Sequence, residues 1–236
     1  LKSSETRFVA ANDFVVAAAG TGDDNIELMH LETGERLPGL QFGRVIAGGF
    51  LPETHIFWAL SAHDGLRFWD TSSTDWVPLF TSYFFADQGF VTVTREGRYD
   101  TNLGPDTSLF RWVVPDRPFQ SLAPQTFMRD YFTPGLAQQV LMCTYFQDCA
   151  ATLAELKPIS ELNRILPQVE ITKVEQTDAP DLVKVSVVVR ETEDLTAPPG
   201  KTKSGVYNLR LFRDFRYADQ TPNDQDLEDQ NALEDW

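Results

Sequence analysis

The chain has 236 residues, enough for one large domain or two small ones. A hydrophobic fraction of 42% with 12% aromatics supports a packed core and excludes wholesale disorder. A formal charge of −15 repels phosphate backbones and anionic lipid, so nucleic acid and membrane are excluded as expected partners; no apolar run approaches a bilayer span, and the polar start, Leu1-Lys2-Ser3-Ser4-Glu5, is not expected to be a signal peptide.

In chain order, Phe14 to Ala19 is a short apolar run bounded by Asp13 and Gly20, and its length favours a buried inner strand. Ile26 to Leu31 reads as the next strand, with Glu32-Thr33-Gly34 as the turn out of it. Ile46–Phe50 and Ile56–Leu60 follow as strands with Pro52-Glu53-Thr54 between them. His63-Asp64-Gly65-Leu66-Arg67-Phe68-Trp69-Asp70 then reads as a tight turn and an alternating strand. Asp64-Gly65 is a hairpin signal, because Gly accepts the positive φ that a two-residue turn requires. Trp76–Phe80 is expected as an outer strand, where Pro78 can forgo a donor.

The turn and strand have a copy forty residues upstream, Asp24-Asn25-Ile26-Glu27-Leu28-Met29, and Val16–Gly20 lies forty residues before Ile56–Leu60. An ungapped period of forty that carries a turn, a strand and a Trp-Asp pair resembles a WD-repeat β-propeller. Ala62–Asp70 is the good copy; Asp23–Leu31 is degraded, with Met29-His30 in place of Trp69-Asp70. A propeller needs about four to eight blades. Two blades in a chain that begins at Leu1 therefore lead us to expect a piece of a longer protein.

Phe90–Thr94, the turn Glu96-Gly97 and Arg98–Asp100 form another predicted hairpin, out of register with the repeat, and Trp112–Pro115 one more short strand. The character then changes. Phe127/Tyr131 and Met128/Phe132 are pairs four apart and predict a short helix after Pro124. Thr133-Pro134 predicts a second helix with Thr as N-cap and Pro in the first turn, carrying Leu136, Val140, Leu141 and Cys143 near one face. Ala150–Leu156 is a further helix-like piece. From Pro167 strands return: Val169–Val174 alternates, Leu182–Val189 is β-branched, and Val206–Phe212 alternates again. Three strands with long loops are expected as part of a β-sandwich, too few to complete one, and the acidic stretch from Asp219 to Trp236 as a solvated loop. Cys143 and Cys149 are too few for a disulfide framework and too far apart on a helix to bridge easily. They read as small core or groove fillers in a reducing compartment, so a cytoplasmic location is expected.

Four stretches carry a more specific resemblance: Phe90–Asn102 followed by Arg111-Trp112-Val113, then Phe127–Leu136, Lys157–Arg164 and Lys201–Asp214. In that order they are similar to bacterial WD-repeat proteins of the caspase-like cysteine peptidase family. The resemblance implies the last blades of a propeller over residues 1–116, a helical linker over 117–163 and a partial Ig-like sandwich over 164–236, with the peptidase domain outside these residues. Phe215 departs from the family pattern, which has Gly in that hairpin. A caspase-like dyad needs a His next to Gly and a Cys after an acidic strand end. His30, His55 and His63 fall in the blades, His63 precedes Asp64 rather than Gly, and Cys143 and Cys149 lie in or beside a helix. No catalytic residue is carried over, and no cofactor or metal site is assigned.

Other candidates resolve to plain readings. Gly200-Lys201-Thr202 resembles the end of a phosphate loop, but Leu195 stands where the upstream Gly belongs, so an inter-strand loop is expected. Asp224, Asp226, Glu228 and Asp229 lack the Gly of a calcium loop and read as solvated charge. Asp64 beside His63 is expected to accept backbone N–H groups rather than act in acid–base chemistry. Phe80, Tyr83, Phe84, Phe85 and Phe90 are expected to cap the last blade rather than form a partner surface. The expectation is therefore a mainly β, non-catalytic scaffold for protein–protein interaction, whose partners are other proteins and the missing peptidase domain. A free-standing β-rich binding module is the alternative.

Overall fold

The computed structural model describes residues 6–20, 25–104, 107–115, 118–146, 153, 155–179, 182–197, 199–206, 209–213 and 216–221. The protein is mainly β and divides into two units, one of residues 1–103 with 131–156 and one of residues 104–130 with 157–236.

The first unit holds two antiparallel meanders. Sheet A runs in the order β1 (Thr6–Ala11), β2 (Val15–Gly20), β3 (Asn25–His30) and β4 (Arg36–Gln41). Sheet B runs through β5 (Val45–Phe50), β6 (Ile56–Ser61), β7 (Leu66–Asp70), β8 (Val77–Phe84), β9 (Phe90–Thr94) and β10 (Tyr99–Thr101). The hairpin expected from Phe90 is thus not separate: β9 pairs along β8, from Phe84↔Phe90 to Phe80↔Thr94. That corrects the reading of β8 as an outer strand. Pro78 still keeps its tolerated place, because β9 stops short of it and its own pairing with Trp69 falls at a register shift.

Sheet B is covered on both faces. Toward sheet A it presents Phe57, Ala59 and Trp69, which form one core with Phe42, Val45 and the sheet A residues Val15, Ala17, Ala19, Ile26 and Leu28. Trp69 is 2% exposed and meets Phe42 edge-on at 5.4 Å. Each large side chain buried to this degree contributes about 1.5–3 kcal/mol relative to exposure. On its other face Phe68 stacks on Phe80 at 4.6 Å, and Phe80 is covered by Leu136 and Val140 of helix α2 (Leu136–Phe146). Leu136, Val140 and Cys143 recur at helical spacing and are the buried residues of α2, as the apolar stripe predicts.

The strand rows show how the forty-residue repeat is built. In sheet B the aromatic row is Phe50–Phe57–Trp69; in sheet A the matching row is Ala11–Val16–Met29. Met29 and Trp69 are forty apart, but Val16 and Phe57 are forty-one apart and Ala11 and Phe50 thirty-nine. The period is therefore not ungapped. A single-residue offset in a strand exchanges its faces, so each hairpin connection absorbs the difference and keeps the rows aligned. The connection into β7 is four residues, Ala62–Gly65, rather than a two-residue turn.

Helix α2 begins two residues later than expected. Gly135 has φ +70°, and its carbonyl accepts the first helical bond from Gln139 N–H. Gly135, not Thr133, is therefore the N-cap. Cys143 is buried as expected but disulfide-bonded, which overturns the reading of it as an unbridged filler and removes that support for a reducing compartment; Cys149 lies outside the described residues. Of the helix expected over 150–156, Leu153, Glu155 and Leu156 are not helical, and the rest lies outside the described residues.

Among the described residues the second unit contains three two-stranded sheets: β11 (Trp112–Val113) with β12 (Ser121–Leu122), β13 (Gln168–Gln176) with β14 (Val183–Arg190), and β15 (Leu209–Arg213) with β16 (Arg216–Thr221). Strand β16 lies partly where a solvated loop was expected. A helical turn over Pro124–Phe127 leads into α1 (Met128–Tyr131), where the chain passes between units. Trp112 packs edge-on against Phe127 at 5.4 Å and donates its indole N–H to the Pro124 carbonyl.

The β13–β14 hairpin corrects one detail of the alternation. Val169 and Ile171 share a face, but Val174 has the opposite parity. A register shift between Ile171 and Lys173 restores it. Val169, Ile171 and Val174 then stand opposite Val189, Val187 and Val185 on one apolar face. The other face is polar, with Arg190 paired to Glu170 at 3.1 Å.

Candidate functional site

The turn before β7 is held by short-range chemistry. Ser61 Oγ donates to the Gly43 carbonyl and accepts the N–H groups of His63 (3.1 Å) and Asp64 (3.0 Å). Asp64 Oδ2 accepts the Gly43 N–H at 2.8 Å. Asp64 therefore serves as a backbone acceptor, as expected, and the His63 side chain is exposed. Gly65 has φ +76°, and a Cβ there would sit 2.5 Å from the Ser82 carbonyl oxygen. Beyond the turn, the Arg67 guanidinium lies 5.0 Å from the Phe42 ring centroid and donates from Nε to Thr81 Oγ1 at 2.9 Å.

Two stretches singled out by resemblance meet at β10. Tyr99, fully buried, packs against Phe132 at 5.5 Å, and the Tyr99 carbonyl accepts the Thr133 N–H at 2.9 Å. Asp100 Oδ2 accepts the Gly135 N–H at 2.9 Å, and its carboxylate also takes the Leu136 N–H, so a strand residue caps α2. Burial pushes the Asp100 carboxyl above its usual range, opposed by the backbone N–H groups of Gly135, Leu136 and Thr101. Arg98 Nη1 reaches to 3.5 Å from Thr133 Oγ1. Burial lowers the Arg98 pKa, and Glu96 opposes that shift.

The other stretches meet in the second unit. Asn163 Nδ2 donates to the Lys203 carbonyl at 2.6 Å, and Lys201 Nζ to the Ser160 carbonyl at 2.8 Å. Thr192 and Ser204 exchange bonds beside them, and Thr192 Oγ1 donates to the Leu166 carbonyl. Arg210 Nη1 donates to the Met128 carbonyl at 3.0 Å. Lys201 is thus committed to a backbone carbonyl in an inter-strand loop, where Gly200 has φ +82°.

No family model matches the sequence, and no curated protein matches it. Among solved structures, the chain is similar to the computationally designed Ika4 protein at 13% identity, over 43% of this chain and 92% of that one, with a TM-score of 0.22. A likeness at that score carries no argument.

The remaining candidates lie apart. His30 Nδ1 is buried without a hydrogen-bond partner, while His55 is exposed, with its ring 6.5 Å from Phe14. The sulfur of Cys143 lies 3.3 Å from the Val140 carbonyl oxygen, but as a disulfide sulfur it has no proton to donate. Of the aromatic run, Phe80 is core, Tyr83, Phe85 and Phe90 are half-buried, and Phe84 is 65% exposed. Among the described residues no group of three or more His, Cys, Asp or Glu could hold a metal ion; Asp224, Asp226, Glu228 and Asp229 lie outside them. Sequence reasoning missed the roles of Asp100 and Arg210. The usable signal for Asp100 was a carboxylate inside a resembling stretch, with a Gly opening a helix downstream in another.

Proposed function

We propose that the chain is a non-catalytic scaffold and protein-interaction segment of a bacterial WD-repeat caspase-like cysteine peptidase. The observation that supports this reading is how the resembling stretches pair. Phe90–Asn102 bonds to Phe127–Leu136 through Tyr99 and Asp100. Lys201–Asp214 bonds to Phe127–Leu136 through Arg210 and to Lys157–Arg164 through Asn163 and Lys201. Short motifs that match by accident have no reason to be mutual partners. In this reading sheet A and β5–β8 are propeller blades, and the hairpins of the second unit belong to an Ig-like sandwich. Their work is to hold backbone in place and offer surfaces, since chemistry does not follow from such folds.

The test is the reading frame beyond Trp236, followed by a peptidase assay. A His-Gly and an Asp-x-Cys downstream, with turnover by the longer product and none by the 236 residues alone, is the expected result. A stop codon directly after Trp236 would replace this reading with a free-standing β-rich binding module.

A further inference from the structure

Helix α2 stops short of what its sequence allows. Residues 150–156 have helical composition, and no Gly or Pro interrupts the chain between Leu136 and Pro158. Yet α2 ends at Phe146, and Leu153, Glu155 and Leu156 are not helical. The bridge at Cys143 supplies a reason. Cys143 is disulfide-bonded and the chain has two cysteines, so its partner is Cys149. In one continuous helix, residues six apart are about 9 Å apart along the axis and lie on different faces, which puts their Cα atoms roughly 10 Å apart. A disulfide tolerates no more than about 7 Å. The bridge and a helix that runs on through residue 149 therefore exclude each other.

The sequence shows what the longer helix would look like. Met142, Phe146, Cys149, Leu153 and Leu156 recur at alternating spacings of four and three, which at helical pitch makes one apolar stripe. Its first two members are 48% and 64% exposed on α2. The stripe runs along a different side of the helix from Leu136, Val140 and Cys143, the buried residues. Leu153 departs from this pattern in the structure: it packs on the inner side, against the cluster of Phe80, Leu136 and Val140. Cys143 does not need the bridge to stay in place. It is 3% exposed, in line with Leu136 and Val140, and Asp100 caps the first turn. Opening the bridge leaves α2 docked and removes the constraint on the chain after it.

We propose that the Cys143–Cys149 bridge is a redox-sensitive stop for α2. Bridged, the helix ends at Phe146 and Leu153 lies on the inner cluster. Reduced, the helix runs on through residues 147–156 and carries Leu153 to the outer stripe, ending before Pro158, whose ring disfavours helix at Lys157. A dithiol supplies the two electrons and two protons. The S–S bond breaks, two thiols form, and the dithiol closes to its own cyclic disulfide through a mixed disulfide. The proposal goes beyond the scaffold reading and does not depend on it.

The test is hydrogen exchange, read by mass on peptides from residues 147–156, with and without dithiothreitol. Reduction should add two hydrogens to the chain and slow exchange in that segment roughly tenfold, because its amides enter helical hydrogen bonds. Cys149→Ser, which cannot form the bridge, should match the reduced chain with or without the dithiol. Ala151→Pro should abolish the slowing, because Pro stops a helix, and leave exchange over sheet B unchanged in the bridged chain. If that variant fails to fold, Ala151→Gly is read in its place, with a loss of protection of roughly fivefold. Exchange that is unchanged or faster on reduction overturns the proposal, as does a Cys149→Ser chain that exchanges like the bridged parent. Neither result bears on the peptidase reading, which the reading frame beyond Trp236 decides.

Discussion

In β6 of sheet B apolar side chains point both ways, and sheet B is covered on both faces, Phe57 and Ala59 by sheet A and the row through Phe68 and Phe80 by α2. In the β13–β14 hairpin one face is apolar from Val169 to Val174, yet Val169, Ile171 and Val174 are each more than half exposed. Both obey the same period-two rule. The difference teaches that alternation assigns a side chain to a face, while stabilisation depends on whether another layer reaches that face. A two-stranded hairpin by itself is marginal in water.

Substitutions can break or sharpen this contrast. The largest effect is expected at Phe57→Ala, which opens a cavity between the two sheets and should cost about 3–5 kcal/mol in urea unfolding. A loss below about 1 kcal/mol would mean that the core of the first unit is not packed as described. Gly65→Ala comes next, at roughly 3 kcal/mol, because φ +76° is strained for Ala and the new Cβ meets the Ser82 carbonyl. Hydrogen exchange should show faster opening of β6, β7 and β8 together.

Asp100→Ala should cost about 1–2 kcal/mol by removing the cap from α2. Asp100→Asn keeps an acceptor and should cost less. Its pH dependence has a defined sign. Burial raises the folded-state pKa above the unfolded one, so the folded protein binds the proton more tightly. The associated stability is present in acid and declines as pH rises from the ordinary carboxylate range through the raised folded value. Unfolding midpoints across that window should therefore show the advantage of the parent chain over Asp100→Asn shrinking as pH rises; a constant difference would rule out the burial argument. The smallest effect is expected at Ile171→Thr, within about 0.5 kcal/mol, because the side chain is 62% exposed. A loss comparable to that of Phe57→Ala would show that the hairpin face is covered after all.

Much of the fold was legible because its signals are local. The Asp64-Gly65 turn, the strands from Val15 to Thr94 and the apolar stripe Leu136–Val140–Cys143 follow from short-range sterics and periodicity. Strand β4 was missed because Pro38 and Gly39 mask it, and β16 because its charged residues resemble a loop. The candidate site was less legible: Asp100 and Gly135 are thirty-five residues apart, and nothing local links a strand carboxylate to the start of a distant helix.

The sequence alone determined which segments alternate as strands, that turns fall at Gly34, Gly65 and Gly97, and the approximate forty-residue repeat. Only the tertiary structure decided that β9 continues sheet B, that the strand rows are offset by one residue in opposite directions, that Cys143 is bridged, and that Asp100 rather than Thr133 caps α2. The physical reason is range. Backbone sterics and side-chain period act within a few residues, whereas the partner of a strand edge, an apolar face or a helix end is whichever group the folded chain brings near.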